Sequence, residues 1–226
     1  MFPSLTPPNS HRLWQTPIVL VACGSFSPIT NAHLRMFELA AKYIKEGSEF
    51  ELIGGYLSPV SDAYQRPGLA SGTDRARMCK LAADKLPWLM VDDWECTRPG
   101  YTPTAEVLKH FAYHINNHLA QYGSQMQEWI VLLCGVDLVQ TMDDPTKWTP
   151  AEVNTIIKDF GLFVVERDGA ASSSLALSKK PMVRIMPQSL GLARLYLNYS
   201  LISIVGITTL KWYISGVSRY QLHKAT

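Results

Sequence analysis

The residues best equipped for chemistry stand in one string, Gly24-Ser25-Phe26-Ser27-Pro28-Ile29-Thr30-Asn31-Ala32-His33-Leu34-Arg35. An apolar run over 18–23 leads into the glycine, and a helical pattern follows, with Leu34, Phe37, Ala41 and Ile44 at three- and four-residue spacing. A strand, a tight turn and a helix start make a seat for an anion. The first N–H groups of a helix lack intrahelical acceptors, and the positive end of its dipole faces the same point. His33 adds a proton-bearing donor, while Thr30 or Asn31 is placed to cap the helix. The plainer alternative is that His33 is only a hydrogen-bonding cap in an ordinary α/β turn.

The rest of the chain reads as elements that could hold such a seat in place. Residues 50–57 suit a second strand ending at Ser58-Pro59, 73–85 a helix and 89–92 a third strand. A helix over 104–122 carries Val107, Leu108, Phe111, Ile115 and Leu119 on one face. Then come an apolar strand over 129–134, a helix over 150–160 with Val153, Ile156 and Ile157 inside, a strand over 162–166 and another over 182–186. Short apolar strands alternating with helices predict an α/β fold, an open parallel sheet covered on both faces. In such sheets ligands bind beyond the C-terminal strand ends. Neither a G-x-G-x-x-G nor a G-x-x-x-x-G-K-[ST] string occurs, which argues against dehydrogenase and P-loop chemistry.

With 226 residues, 47% hydrophobic and 18% charged, the chain has enough apolar surface for one full core. Cys23, Cys79, Cys96 and Cys134 stand far apart with no C-x-x-C pair, so reduced intracellular thiols explain them better than disulfides or zinc. Residues 1–16 hold three prolines and no apolar stretch, and read as a loose arm rather than a signal peptide. All 19 acids fall within 1–168, whereas 169–226 hold 7 Lys and Arg and no acid. That break suits either a basic lobe for phosphates or nucleic acid, or a chain end foreign to the domain.

The string at 24–35 resembles the nucleotidyltransferase signature of the nicotinamide/nicotinate mononucleotide adenylyltransferases, Gly-Ser-Phe-Asn-Pro-x-Thr-x-x-His-Leu-Arg, with Ser27 in place of Asn. Thr30 and His33 stand where the wider superfamily has two histidines. Four further segments resemble the same family in order. Ser58-Pro59-Val60-Ser61-Asp62-Ala63-Tyr64-Gln65-Arg66-Pro67-Gly68-Leu69 is similar to its lysine-bearing loop, with Gln65 and Arg66 replacing lysines. The resemblance thus puts the phosphate-contacting cation on Arg66, whose plainer reading is a solvated loop charge. Val91-Asp92-Asp93-Trp94-Glu95 leads to Tyr101-x-x-Thr104, which matches the aromatic and threonine that hold the nicotinamide end, with Tyr101 in place of Trp. Trp94 itself reads as packing. Leu132-Leu133-Cys134-Gly135-Val136-Asp137-Leu138 resembles the segment in which a glycine admits the ligand and an aspartate holds a ribose hydroxyl, although Asp137 also suits a helix N-cap. Lys147-Trp148 follows a Leu-Trp pair whose Trp walls the nicotinamide pocket.

The resemblance implies a Rossmann-like sheet of the nucleotidyltransferase type, with a single domain over 17–188. It implies transfer of AMP from ATP to nicotinamide or nicotinate mononucleotide, with Mg²⁺ accompanying the nucleotide. Gly24, Ser25, Phe26, Thr30, His33, Arg66, Gly135 and Asp137 would serve ATP and its phosphates, with His33 and Arg66 catalytic; Ser25, Phe26, Tyr101, Thr104 and Trp148 would serve the mononucleotide. No protein metal ligands, nucleic acid or membrane are expected, homo-oligomerisation stays open, and the compartment is intracellular, with nucleus, cytoplasm and mitochondrion all open. The family's closing Ile-Ser-Ser-Thr-x-x-Arg motif does not follow Gln188; the nearest string is Ile214-Ser215-Gly216-Val217-Ser218-Arg219. Residues 189–226 are therefore expected to be an alternative C-terminus not folded with the domain. Its loss of the ATP-phosphate motif keeps a second hypothesis open, a mononucleotide-binding or chaperone-like protein without turnover. A sister transferase for a phosphopantetheine or choline headgroup fits less well, because Tyr101, Thr104 and Trp148 suit a flat heterocycle.

Overall fold

Six strands, β1 (Thr16–Gly24), β2 (Phe50–Pro59), β3 (Leu89–Val91), β4 (Trp129–Gly135), β5 (Leu162–Glu166) and β6 (Val183–Pro187), form one sheet in the order β3-β2-β1-β4-β5-β6. Every neighbouring pair is parallel. This is a computed structural model, and it describes residues 15–46, 49–121, 128–166 and 183–187. The helices are α1 (Asn31–Lys45), α2 (Gly72–Ala83), α3 (Thr104–Gln121), α4 (Val136–Thr141) and α5 (Pro150–Thr155), the last running into a π-turn over Ile156–Phe160. No described helix is long and apolar enough to cross a membrane.

The strand sequences are apolar on both faces because helices cover both. Ile18, Val19, Leu20 and Val21 in the centre of β1 are all fully buried, and successive residues point into different cores. Val19 and Val21 pack with Phe111, Ile115, Leu132 and Ile156 on the side of α3 and α5. Ile18 and Leu20 pack with Phe37, Ile44, Leu57 and Cys79 on the side of α1 and α2. The α1 stripe is Leu34, Phe37, Ala40 and Ile44, so Ala40 is buried where the spacing pointed to Ala41. A strand so enclosed is the most stable base the fold can offer to the loop that leaves its end.

Expected and observed elements agree to within a residue or two. β1 opens at Thr16, whose N–H donates to the carbonyl of Glu49, and the last strand runs to Pro187. Most of the N-terminal arm and all of the 189–226 segment lie outside the described residues. The chain crosses from β1 out to β3 and then returns to β4 on the other side of β1. Connections therefore diverge between β1 and β4, and a crevice opens at their C-terminal ends.

Candidate active site

The seat at the end of β1 is built as its residue types dictate. Thr30 caps α1 from an extended backbone (φ −127°, ψ 164°), and His33 occupies the third helical position. Nδ1 of His33 accepts the Thr30 N–H at 3.0 Å and lies 2.8 Å from the Thr30 hydroxyl. A backbone N–H only donates, so Nδ1 is the bare nitrogen and the proton of the neutral ring sits on Nε2. The cap and the donor are thus one arrangement, since capping fixes the tautomer a donor requires. The imidazole also meets Phe26 edge to face, with centroids 5.2 Å apart and planes at 80°.

Phe26 is buried and has φ +44°, a left-handed conformation that a bulky residue holds only when its surroundings impose it. Its ring lies against the backbone of Gly24, where a Cβ would come within 3.2 Å of the Phe26 Cζ. Glycine at 24 is therefore what lets the ring turn under the loop.

The loop after β2 reaches the same place. Arg66 is exposed, and its Nη1 donates to the Ser25 Oγ at 3.0 Å, which brings its guanidinium beside the seat. The Val60 N–H donates to the Gly24 carbonyl and the Ala70 N–H to the Ser27 Oγ, both at 3.0 Å. Beneath them lies Arg75, an arginine absent from the sequence-based site and fully buried. The carboxyl of Asp62 is held below the usual range, first by the Gly72 N–H and then by Arg75. Glu95, also missed, is buried and accepts the Ser58 hydroxyl at 2.6 Å, and burial pushes its pKa up to about 7.

The other shore of the crevice is mainly aromatic. Gly135, not Asp137, caps α4, which corrects the N-cap reading of the aspartate; Asp137 sits exposed in the first turn. Trp148 is buried in the α3–α5 core, and its indole N–H donates to the Thr141 hydroxyl at 2.9 Å. Thr104 opens α3, and its N–H donates to a carboxylate oxygen of Glu152 on α5 at 3.1 Å. Tyr101 is half exposed and stacks on Tyr64 with centroids 6.0 Å apart and planes at 29°. Burial, with Glu152 and Glu95 adding to it, raises its hydroxyl to about 12. Trp94 is partly buried against the core on the α3 side: His110 stacks on it with centroids 4.0 Å apart, and the Arg98 guanidinium lies 5.0 Å from its ring centre. An open cavity of about 520 Å³ lies alongside, between Arg98, Tyr101, Pro103, Lys109 and Tyr113.

The structure thus gathers Gly24, Ser25, Phe26, Thr30, His33 and Arg66 into one cluster, with Gly135 and Asp137 at the end of the neighbouring strand. Tyr101 and Thr104 both lie near Glu152 of α5, while Trp148 is held in the α3–α5 core by its bond to Thr141. Among the described residues no three His, Cys, Asp or Glu side chains converge to hold a metal ion.

Residues 21–213 match the cytidylyltransferase-like family. Over 181 residues the chain is 47% identical to nicotinamide/nicotinic acid mononucleotide adenylyltransferase 1 of Saccharomyces cerevisiae, covering 75% of this chain and 45% of the yeast protein. It is 42% identical over 152 residues to the Oryza sativa enzyme of the same name, covering 67% and 59% respectively. The chain spans less than half the length of the yeast relatives it matches. A Plasmodium falciparum nicotinic acid mononucleotide adenylyltransferase complexed with NaAD superposes with a TM-score of 0.55 at 17% identity, over 94% of this chain and 99% of that one, a likeness of fold.

Proposed function

We propose, from the premise that this chain belongs to the cytidylyltransferase-like family and groups with its nicotinamide/nicotinic acid mononucleotide adenylyltransferases, that it transfers the adenylyl group of ATP to nicotinamide or nicotinate mononucleotide. A phosphate oxygen of the mononucleotide attacks the α-phosphorus, the bond from that phosphorus to the bridging oxygen breaks, and pyrophosphate leaves with the electron pair. No enzyme nucleophile is needed. The acceleration comes from holding two phosphates in line and spreading the developing charge over fixed donors.

The observation that carries this reading is the seat at 24–33: a helix start, a histidine whose cap bond places its proton on Nε2, and Arg66 drawn in by Ser25. In this role His33 donates to the α-phosphate and Arg66 faces the pyrophosphate side. Gly24, Ser25 and Phe26 shape the seat, and Gly135 and Asp137 lie at the strand end where a ribose would rest. Tyr101, Thr104 and Trp148 serve the pyridine. Mg²⁺ suits this donor set as part of the nucleotide, since it binds mainly to phosphate oxygens and water and needs few protein ligands. The four cysteines are free thiols, which supports an intracellular setting, with nucleus, cytoplasm and mitochondrion all compatible.

The test is an assay of the purified chain with ATP, Mg²⁺ and each mononucleotide in turn, following pyrophosphate and dinucleotide together. Equal amounts of both products are expected. Pyrophosphate release without dinucleotide, or neither product, would sink the reading.

A further inference from the structure

Arg75 lies on α2, away from every motif that marks the site, and its side chain has no exposure at all. Its Nε donates to the Ala70 carbonyl at 2.8 Å and its Nη1 to the Ser25 carbonyl at 3.0 Å. Its Nη2 donates to the Val60 carbonyl at 2.6 Å and to the Asp62 carboxylate at 2.8 Å. One planar group therefore joins the first loop at Ser25 to both ends of the second at Val60 and Ala70. Between those ends rides Arg66, whose own hydrogen bond returns to Ser25.

Hydrophobic burial would favour an alanine or leucine here, because removing a charge from water is expensive unless every donor is matched. The carboxylate that Arg75 bonds, Asp62, is 61% exposed, so three of the four bonds fall to backbone carbonyls. Carbonyls of two separate loops converge on this site only while both loops keep their present conformation. The guanidinium thus sets the distance between the seat and the loop bearing its cation. A lysine could not do this, since its compact ammonium lacks the forked, in-plane donors.

We infer that Arg75 is a positioning residue for phosphate binding: it registers the loop of Arg66 against the loop of Ser25 without touching substrate. The inference rests on the adenylyl-transfer reading for its effect on rate, though not for its effect on the loops.

The experiment compares Arg75→Lys, Arg66→Ala and the double variant in the full chain. Arg75→Lys is expected to lower kcat/KM for ATP by about tenfold or more, with KM for the mononucleotide changing less than twofold. In the Arg75→Lys background, Arg66→Ala should cost several-fold less than in the native one, because an unregistered Arg66 has less to lose. An equal cost in both backgrounds, or an unaltered rate, overturns the inference. Amide hydrogen exchange supplies the readout that does not depend on activity. Arg75→Lys should lose protection at Val60 and Ala70 together, while residues 18–22 and 130–134 keep theirs. Unchanged protection at both amides, or uniform loss across the sheet, overturns it. If Arg75→Lys does not fold, Asp62→Ala takes its place with the same pattern at smaller size, since it removes one of the four acceptors. If the native chain makes no dinucleotide, the proposed function fails, and the exchange data alone decide the role of Arg75.

Discussion

The two shores of the crevice are built by different physics. On the β1–β2 side, position is set by polar bonds between loops: Arg75 to three carbonyls, Val60 to Gly24, Ala70 to Ser27 and Arg66 to Ser25. On the α3–α5 side it is set mainly by buried aromatic and aliphatic bulk, with Trp148 anchored in the core and Glu152 of α5 accepting backbone N–H groups at the start of α3. Directional bonds fix a phosphate where charge must be met in one geometry. Packing shapes a slot for a flat ring, where area matters more than angle. Substitutions on the first shore should therefore act mainly on kcat, and on the second mainly on KM for the mononucleotide and on stability.

The sharpest way to break that contrast is His33→Ala. Loss of one preorganised donor typically costs about 10²–10³ in rate, so kcat should fall by that order while circular dichroism and the KM for mononucleotide change little. A near-native kcat would remove His33 from the chemistry. Arg66→Ala should come next, lowering kcat/KM for ATP by about tenfold, as expected for one exposed charge-assisted contact. An effect confined to the mononucleotide KM would reverse the assignment of the two shores.

Trp148→Phe tests the other side. It removes the indole bond to Thr141 and some buried area, so it should raise the mononucleotide KM several-fold and lower Tm by a few degrees, with kcat nearly kept. The smallest effect is a pH dependence. Glu95 binds its proton more tightly in the folded chain, near 7, than in the unfolded one, so folding takes up protons between the two pKa values. Stability is fully present below the unfolded pKa and declines as pH rises towards and through about 7. Glu95→Gln keeps an acceptor for Ser58 and should flatten Tm against pH in that window. An unchanged slope would show that another group carries it.

Most of the sheet was legible because each strand is a short apolar run that burial on two faces demands, and the seat was legible because glycine, cap and histidine sit close in sequence. What escaped notice depends on contacts distant along the chain. Ser58 and Glu95 are 37 residues apart and Thr104 and Glu152 are 48 apart, so no local pattern pairs them. Arg75 did leave a trace: it shares the buried stripe of α2 with Gly72, Ala76, Cys79 and Ala83. A cation on the apolar face of a helix signals a buried network, and that spacing could have revealed it. Gly135 was expected to admit a ligand, yet its role as the cap of α4 was hidden behind Asp137, because glycine caps less distinctively than aspartate.

The ring of Phe26 turned beneath Gly24 makes the floor of the seat out of a side chain from its own loop. A floor of that kind leaves position 24 little latitude: a methyl group there would press on the ring, which must give by a few tenths of an ångström, and the imidazole that caps the helix rests on that ring's edge. Gly24→Ala would therefore be felt nine residues away, at a histidine it never touches.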